Sequence, residues 1–487
     1  MMASPLPTTR ATRTLLVLTG VALLVNYVET MVIPGVPKIQ SDFGTTANVA
    51  SWITSAYLIV GSAVAPLFGK LGDVYGRKRM FLVSLSFYMV GVAMAGFSPT
   101  IYFLIFARAL QGVGIAILPL GLAIITQVFP RDKIATAQGV ISGTFAIGAA
   151  AGLIFGSYVV QSLGWQYAFY TALAASATLF AASTKLLQRD SPSGSSKSVD
   201  YVGAGTLMSG ISLLLVYITE GPSLGWLGQE ELAFLLSGIL LTSLFFLYES
   251  RKSSPLIQLG LLRVRNVLVA NLMGILSGIA LFLLFFAVVY YTQLPSGFGL
   301  GLGIADSGWT LAPSALGMLV GGAVIGKFIR KSGPRPALVL GAALSAVGLA
   351  MLILARTTAY FVAIDSAVAL TGIEFLIVPI VNMIAISLPR ETTAVGLGMN
   401  TMLRNIGGAL GPVVATTLMT TYTDSVTYAT QGHEVVVALP STTAFNLIFG
   451  LGIALAAIAF LISLATKNYV FGKSSKFSAP AGEVKEP

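Results

Sequence analysis

The amino-acid sequence predicts an all-α membrane protein in which two six-helix bundles flank two extra transmembrane helices, fourteen in total. Three observations point there. Of 487 residues, 55% are hydrophobic and 9% charged, whereas about a quarter of an ordinary soluble chain is charged. Continuously apolar stretches recur along the chain, each near the roughly 20 residues that cross about 30 Å of hydrocarbon. Finally, landmarks in the first half of the chain return in the second half in the same order.

The apolar segments fall near 14–34, 48–68, 80–97, 100–128, 134–160 and 166–185, then 201–219 and 231–249, and finally 267–292, 307–329, 337–355, 358–386, 393–420 and 443–466. Outer-membrane strands would alternate polar and apolar residues over about ten positions; these segments are apolar throughout, so helices are expected. The first segment follows Arg10 and Arg13 as a secretory signal would. It exceeds an h-region of about 7–15 residues, and Pro34, Gly35 and Pro37 stand where a small-residue cleavage site would lie. An uncleaved first helix is expected.

Sorting every Lys and Arg by side places 24 on the side of the termini, two (Lys38 and Arg356) on the other side, and two (Arg108 and Arg404) inside helices. The positive-inside rule then predicts cytoplasmic N- and C-termini in a multi-pass protein of the plasma membrane. The same distribution accounts for the net charge of +10 without nucleic acid, which needs basic residues gathered on one soluble face.

The repeat defines the domains. Gly69-Lys70-Leu71 with Gly76 returns as Gly326-Lys327-Phe328 with Gly333, Gly112 and Pro119 as Gly372 and Pro379, and Pro130-Arg131-Asp132 as Pro389-Arg390-Glu391. Residues 1–185 and 267–466 are therefore expected to form the two bundles. Residues 186–266 form a linker with the two extra helices, and 467–487 a disordered cytoplasmic tail. The segment 422–441 is expected to be a long outer loop that leaves His433 solvated.

Composition also excludes chemistry. With no Cys and one His, thiol catalysis, Cys/His zinc sites and haem or iron–sulfur ligation have no ligands to draw on. No metal or cofactor is expected. Gly321 to Phe328 has the glycine and lysine spacing of a phosphate loop, but it lacks the Ser/Thr and ends a membrane helix, so energy should come from an ion gradient instead of a nucleotide.

The strongest local signal is Gly69-Lys70-Leu71-Gly72-Asp73-Val74-Tyr75-Gly76-Arg77-Lys78-Arg79, a basic, glycine-punctuated turn between helices 2 and 3. It resembles the G-x-L-x-D-x-x-G-R-[RK] hallmark of the major facilitator superfamily. Arg108-Ala109-Leu110-Gln111-Gly112-Val113-Gly114 is similar to that family's helix 4 signature. The chain further resembles the fourteen-helix drug:proton antiporters: Asp200 to Gly203 and Gly221 to Trp226 bracket helix 7, and Arg404 to Gly411 looks like helix 13. One departure is that Gly148 is followed by Ala149 where such antiporters carry Gly-Pro, although Gly143, Gly148, Gly152 and Gly156 keep a small-residue face. The resemblance implies a major facilitator fold with Gly69, Asp73, Gly76 and Arg77 as a cytoplasmic gate. In it, Asp73 would meet the positive end of the second-half helix that begins near 391.

Charges inside hydrocarbon are expensive and mark pathways or buried pairs. Glu29, at about 22 Å from the inner surface, and Arg108, at about 12 Å from the outer one, reach nearly the same depth. They either pair permanently or leave Glu29 to exchange a proton. Arg404 lies between Asp365 and Glu374, which point to opposite faces because nine residues make a half-turn. Glu374 occupies the repeat position of Gly114 and is favoured over Asp365. Glu29, Glu374 and Asp365 are thus the proton-coupling candidates, with Arg108 and Arg404 as charge partners. Asn26, Thr30, Tyr57, Gln111 and Asn400 are the candidate cavity residues.

The function expected is alternating-access, proton-coupled export of a small amphipathic or cationic compound by a monomer in the bilayer, with no enzymatic activity. Inward solute:proton symport is the runner-up, and a non-transporting sensor on the same scaffold is the alternative of another class.

Overall fold

The computed structural model describes residues 8–188, 200–252, 255, 258–430 and 433–468. The first half contains α1 (Thr8–Met31), a 3-10 turn, α2 (Val36–Asp42), α3 (Ala47–Tyr75) and α4 (Arg77–Gly96). Then α5 (Ile101–Gln111) passes through a 3-10 turn at Gly112–Ala116 into α6 (Ile117–Val128), and α7 (Arg131–Ala151) passes through a π turn at Gly152–Gly156 into α8 (Ser157–Leu163). Next come α9 (Trp165–Leu186) and the extra pair, α10 (Tyr201–Leu224) and α11 (Gln229–Ser250). The second half contains α12 (Arg265–Gln293), α13 (Ile304–Ser332), α14 (Pro334–Leu354), α15 (Ala359–Ser387), α16 (Arg390–Thr421) and α17 (Thr442–Leu464).

Eleven of the described helical runs are long and apolar enough to cross a bilayer: α1 with α2, α3, α4, α5 with α6, α10 to α15, and α17. The expected fourteen also include α7 with α8, α9 and α16, which length and apolarity alone do not select. In α16 the shortfall has a physical reason: Asn400, Arg404 and Asn405 interrupt its apolar run.

The repeat is visible in the turns. Gly76 (φ 97°) joins α3 directly to α4, and Gly333 (φ 83°) joins α13 to α14 in the same way. A side chain at either φ would be strained, so glycine allows two helices to meet without a loop. Thr100 and Thr358 cap α5 and α15 identically, their hydroxyls accepting from Phe103 N at 3.2 Å and Phe361 N at 3.3 Å.

The segment between α16 and α17, expected as a loop, is a β-hairpin. Thr423–Thr430 (β1) pairs antiparallel with His433–Pro440 (β2), Val426 opposite Val437. Alternating Thr and Val in Val426-Thr427 and the Val435-Val436-Val437 run favour extended backbone, a signal the apolar-segment reading overlooks. The solvation expected for His433 concerns a side chain outside those described. The tail expected to be disordered begins in order: Lys467 N donates to Asn266 Oδ1 at 2.9 Å, and Asn468 Nδ2 donates to Ser332 O at 3.0 Å. Its remainder, 469–487, lies outside the described residues.

The small-residue face of α7 packs on α1. A Cβ at Gly148 would lie 2.7 Å from Leu23 O, and one at Gly152 would lie 2.4 Å from Tyr27 O, so the two backbones are in contact. The halves meet toward the hairpin end. Tyr290 OH donates to Gln40 Oε1 at 2.8 Å, Gln293 Nε2 to Pro34 O at 2.8 Å, and Ala305 N to Gln161 Oε1 at 2.7 Å. Along the α3–α16 seam, Ser55 Oγ donates to Ala409 O at 2.7 Å, and Thr420 Oγ1 lies 3.2 Å from Asn48 Oδ1.

Candidate functional site

In the first half, Arg108 is wholly buried. Its Nε donates to Ile53 O at 3.0 Å, its Nη1 to Gln111 Oε1 at 2.7 Å, and its guanidinium lies 4.6 Å from the centre of the Tyr57 ring. Gly112 makes this possible, because a Cβ there would sit 2.4 Å from Tyr57 O. Helices α5 and α3 therefore approach to backbone contact. Tyr88, which the sequence reading does not single out, fills the space left at Gly114, with its ring 2.4 Å from where a Cβ would stand. Arg108 Nη2, Tyr57 OH and Gln111 Nε2 are buried with no hydrogen-bond partner, an unusual concentration of unsatisfied polar atoms.

Glu29, on α1, is only partly buried. It lies within electrostatic reach of Arg108 and of Arg404. Among the described residues no ion pair closer than 4.0 Å joins Glu29 to Arg108, so of the two alternatives read from their depths the contact pair is not formed in this conformation.

In the second half, Glu374 is likewise partly buried. Its Oε1 stands 3.5 Å from where a Cβ on Gly322 of α13 would be, so the glycine pair that imitated a phosphate loop leaves room for this carboxyl. Arg404 interacts electrostatically with Glu374 and Glu29. Arg404 itself is held by α16, which lies against α12 at backbone distance: a Cβ at Gly278 would be 2.1 Å from Arg404 O. Asp365 is 1% exposed and sits where α15 touches α14, its carbonyl 2.7 Å from the Cβ position of Gly348.

The other predicted cavity residues are packed between helices in this conformation. Asn26 Nδ2 donates to Ala22 O at 2.7 Å, and Thr30 Oγ1 lies 3.0 Å from Ala149 O on α7. Asn400 Nδ2 donates to Ala270 O at 2.8 Å, and Tyr57 and Gln111 are wholly buried. At the gate motif, Asp73 Oδ1 accepts from Arg77 Nη2 at 3.2 Å, and Arg77 Nη1 donates to Ala123 O at 2.8 Å. Gly69 looks onto open space, while Gly72 is tight against Leu120. The expected partner of Asp73 is the start of α16; the side chains of 390 and 391 lie outside those described.

Long apolar helices packed around buried charged side chains are the architecture of a multi-pass membrane protein. The sequence model of the Major Facilitator Superfamily matches residues 18–412. The chain belongs to that family. Among curated relatives, it is 29% identical to the tetracenomycin C resistance and export protein of Streptomyces glaucescens, over 83% of this chain and 75% of that one. It is 26% identical to multidrug resistance protein 3 of Bacillus subtilis, over 80% and 76%. The fold is similar to that of a POT family transporter in complex with 5-aminolevulinic acid (TM-score 0.65, 15% identity, 93% and 97% covered). It is also similar to that of the human organic anion transporter MFSD10 (TM-score 0.59, 17% identity, 94% and 100% covered).

Proposed function

We propose that this chain is a proton-coupled exporter of small amphipathic or cationic compounds, working in the plasma membrane with cytoplasmic termini. All fourteen helices cross, and the halves 1–185 and 267–466 open alternately. The supporting observation is that Arg404 of the second half interacts with Glu374 beside it and with Glu29 across the interface, while Glu29 also faces Arg108. Two carboxyls thus lie within electrostatic reach of one arginine between the halves. When the halves move, the arginine keeps one partner and leaves the other to take or release a proton. The hairpin-end contacts then correspond to the state open toward the cytoplasm, the side from which an exporter loads. Relatives named for tetracenomycin C resistance and export and for multidrug resistance favour efflux over uptake.

The test is transport by purified protein in sealed vesicles with an imposed proton gradient and a panel of cationic dyes. Uphill dye movement opposite to the proton flow supports export. Movement with the proton flow indicates symport, and no flux under any gradient indicates a sensor.

A further inference from the structure

The extra helix α10 does not stand apart from the two halves. Pro222 lies inside it and supplies no N–H, so the carbonyl of Ile218, four residues earlier, has no helical donor. That carbonyl accepts instead from Thr417 Oγ1 of α16 at 3.1 Å. The next carbonyl, Thr219 O, accepts from Asn48 Nδ2 of α3 at 2.9 Å, and Thr219 Oγ1 accepts from Trp52 Nε1 at 3.1 Å. Asn48 and Thr417 belong to different halves, and both are nine-tenths buried. Thr420 Oγ1, one turn from Thr417, lies 3.2 Å from Asn48 Oδ1 and closes the ring. The proline break in α10 is therefore seated across the seam where α3 and α16 meet.

We infer that Asn48, Thr417 and the Pro222 break form a clamp by which the extra helix holds the hairpin end closed, making Asn48 and Thr417 positioning residues of the transport cycle. Separating α3 from α16 at this end breaks a bond on one side of the ring. If Thr417 leaves, the Ile218 carbonyl loses the donor that replaces the missing proline N–H, at a partly buried position. The clamp thus favours the conformation that is closed at the hairpin end, and its strength sets how often that end opens. The inference rests on the alternating-access reading, and the experiment separates the two.

The chain contains no cysteine, so paired spin labels can be introduced directly into the full-length protein in lipid nanodiscs. Ser41→Cys with Thr357→Cys reports the hairpin end, and Lys185→Cys with Lys331→Cys the opposite end. Thr417→Val should move the population toward the hairpin-open state by roughly five- to tenfold, the value of one hydrogen bond. Pro222→Ala restores a donor to the Ile218 carbonyl, so adding Thr417→Val in that background should shift the population little further. This coupling distinguishes a clamp from general loosening of the fold. An unchanged distance distribution in Thr417→Val overturns the clamp, as does an equal shift in both backgrounds. A wild-type protein that shows a single distance distribution at both ends, whatever the pH or substrate, overturns alternating access itself.

Discussion

Gly322 and Glu374 face each other across α13 and α15, with the carboxyl oxygen 3.5 Å from the place a Cβ would take. That separation is ordinary van der Waals contact for one carbon and overlap for a branched side chain. Gly322→Ala should therefore transport at nearly the wild-type rate. Gly322→Leu should displace the Glu374 carboxyl and cost about 1–3 kcal/mol of overpacking, with coupled transport falling at least about tenfold. The check is gradient-driven flux per molecule of inserted protein. Equal flux in both variants would remove Glu374 from the pathway.

Glu29 is the carboxyl within electrostatic reach of both networks, Arg108 in its own half and Arg404 in the other. Glu29→Gln keeps the shape of the side chain and removes its charge and titration. Uphill accumulation should vanish, while downhill exchange of labelled substrate should survive, because binding and the movement of the halves do not need the proton. Full uphill accumulation in Glu29→Gln would reject this residue as the carrier.

The architecture was largely readable from local chemistry. Apolar runs of crossing length gave the helices, and Gly76 and Gly333 marked the two turns that only a positive φ permits. Depth arithmetic placed Glu29 near the level of Arg108, and the two do interact electrostatically. It could not show that Arg108 would spend its hydrogen bonds on Ile53 O and Gln111, because rotation about the helix axis depends on packing by Gly112 and Tyr57. The seam with α10 has one signal in the sequence: Pro222 within an apolar helix leaves a carbonyl without its helical donor. The sequence does not say which helix supplies that donor. The hairpin does not stand out in the sequence because Val426 sits among Thr, Asp and Ser and the segment is too short and too polar to read as an apolar run.

At the gate motif, Asp73 accepts from Arg77 one helical turn away, across the Gly76 turn. Asp73 is half-exposed and Arg77 a quarter exposed, so the pair adds little to stability. Its value lies in aiming the arginine at Ala123 O on α6. Asp73→Asn should leave insertion and thermal stability close to wild type and reduce turnover roughly tenfold, as expected when a conformational step sets the rate. Turnover in vesicles measured beside a melting curve decides this. Normal turnover would show that the carboxylate does not gate.

Asp200 caps α10 and holds Lys252, beyond the end of α11, at 2.5 Å, with its side chain wholly buried and that of Lys252 mostly so. Burial alone would raise the Asp200 pKa; hydrogen bonds from Lys252 and from the Gly203 N–H outweigh it and hold the carboxyl below its usual range. For Lys252, burial opposes the charge and the Asp200 and Tyr248 contacts outweigh it, leaving the ammonium above its usual range. The signs follow from linkage. The Asp200 contribution is complete above the unfolded value of about 3.9 and is lost as pH falls through the lower native value. The Lys252 contribution is complete below about 10.4 and is lost as pH rises through the higher native value. Between these limits Asp200→Asn should destabilise the α10–α11 pair by about 1–3 kcal/mol, with the gap from wild type closing only in strong acid. Melting curves of both proteins from pH 3 to pH 9 test this. A gap that instead narrows between pH 5 and 8 would mean that the pair titrates near neutrality and is not a permanent brace.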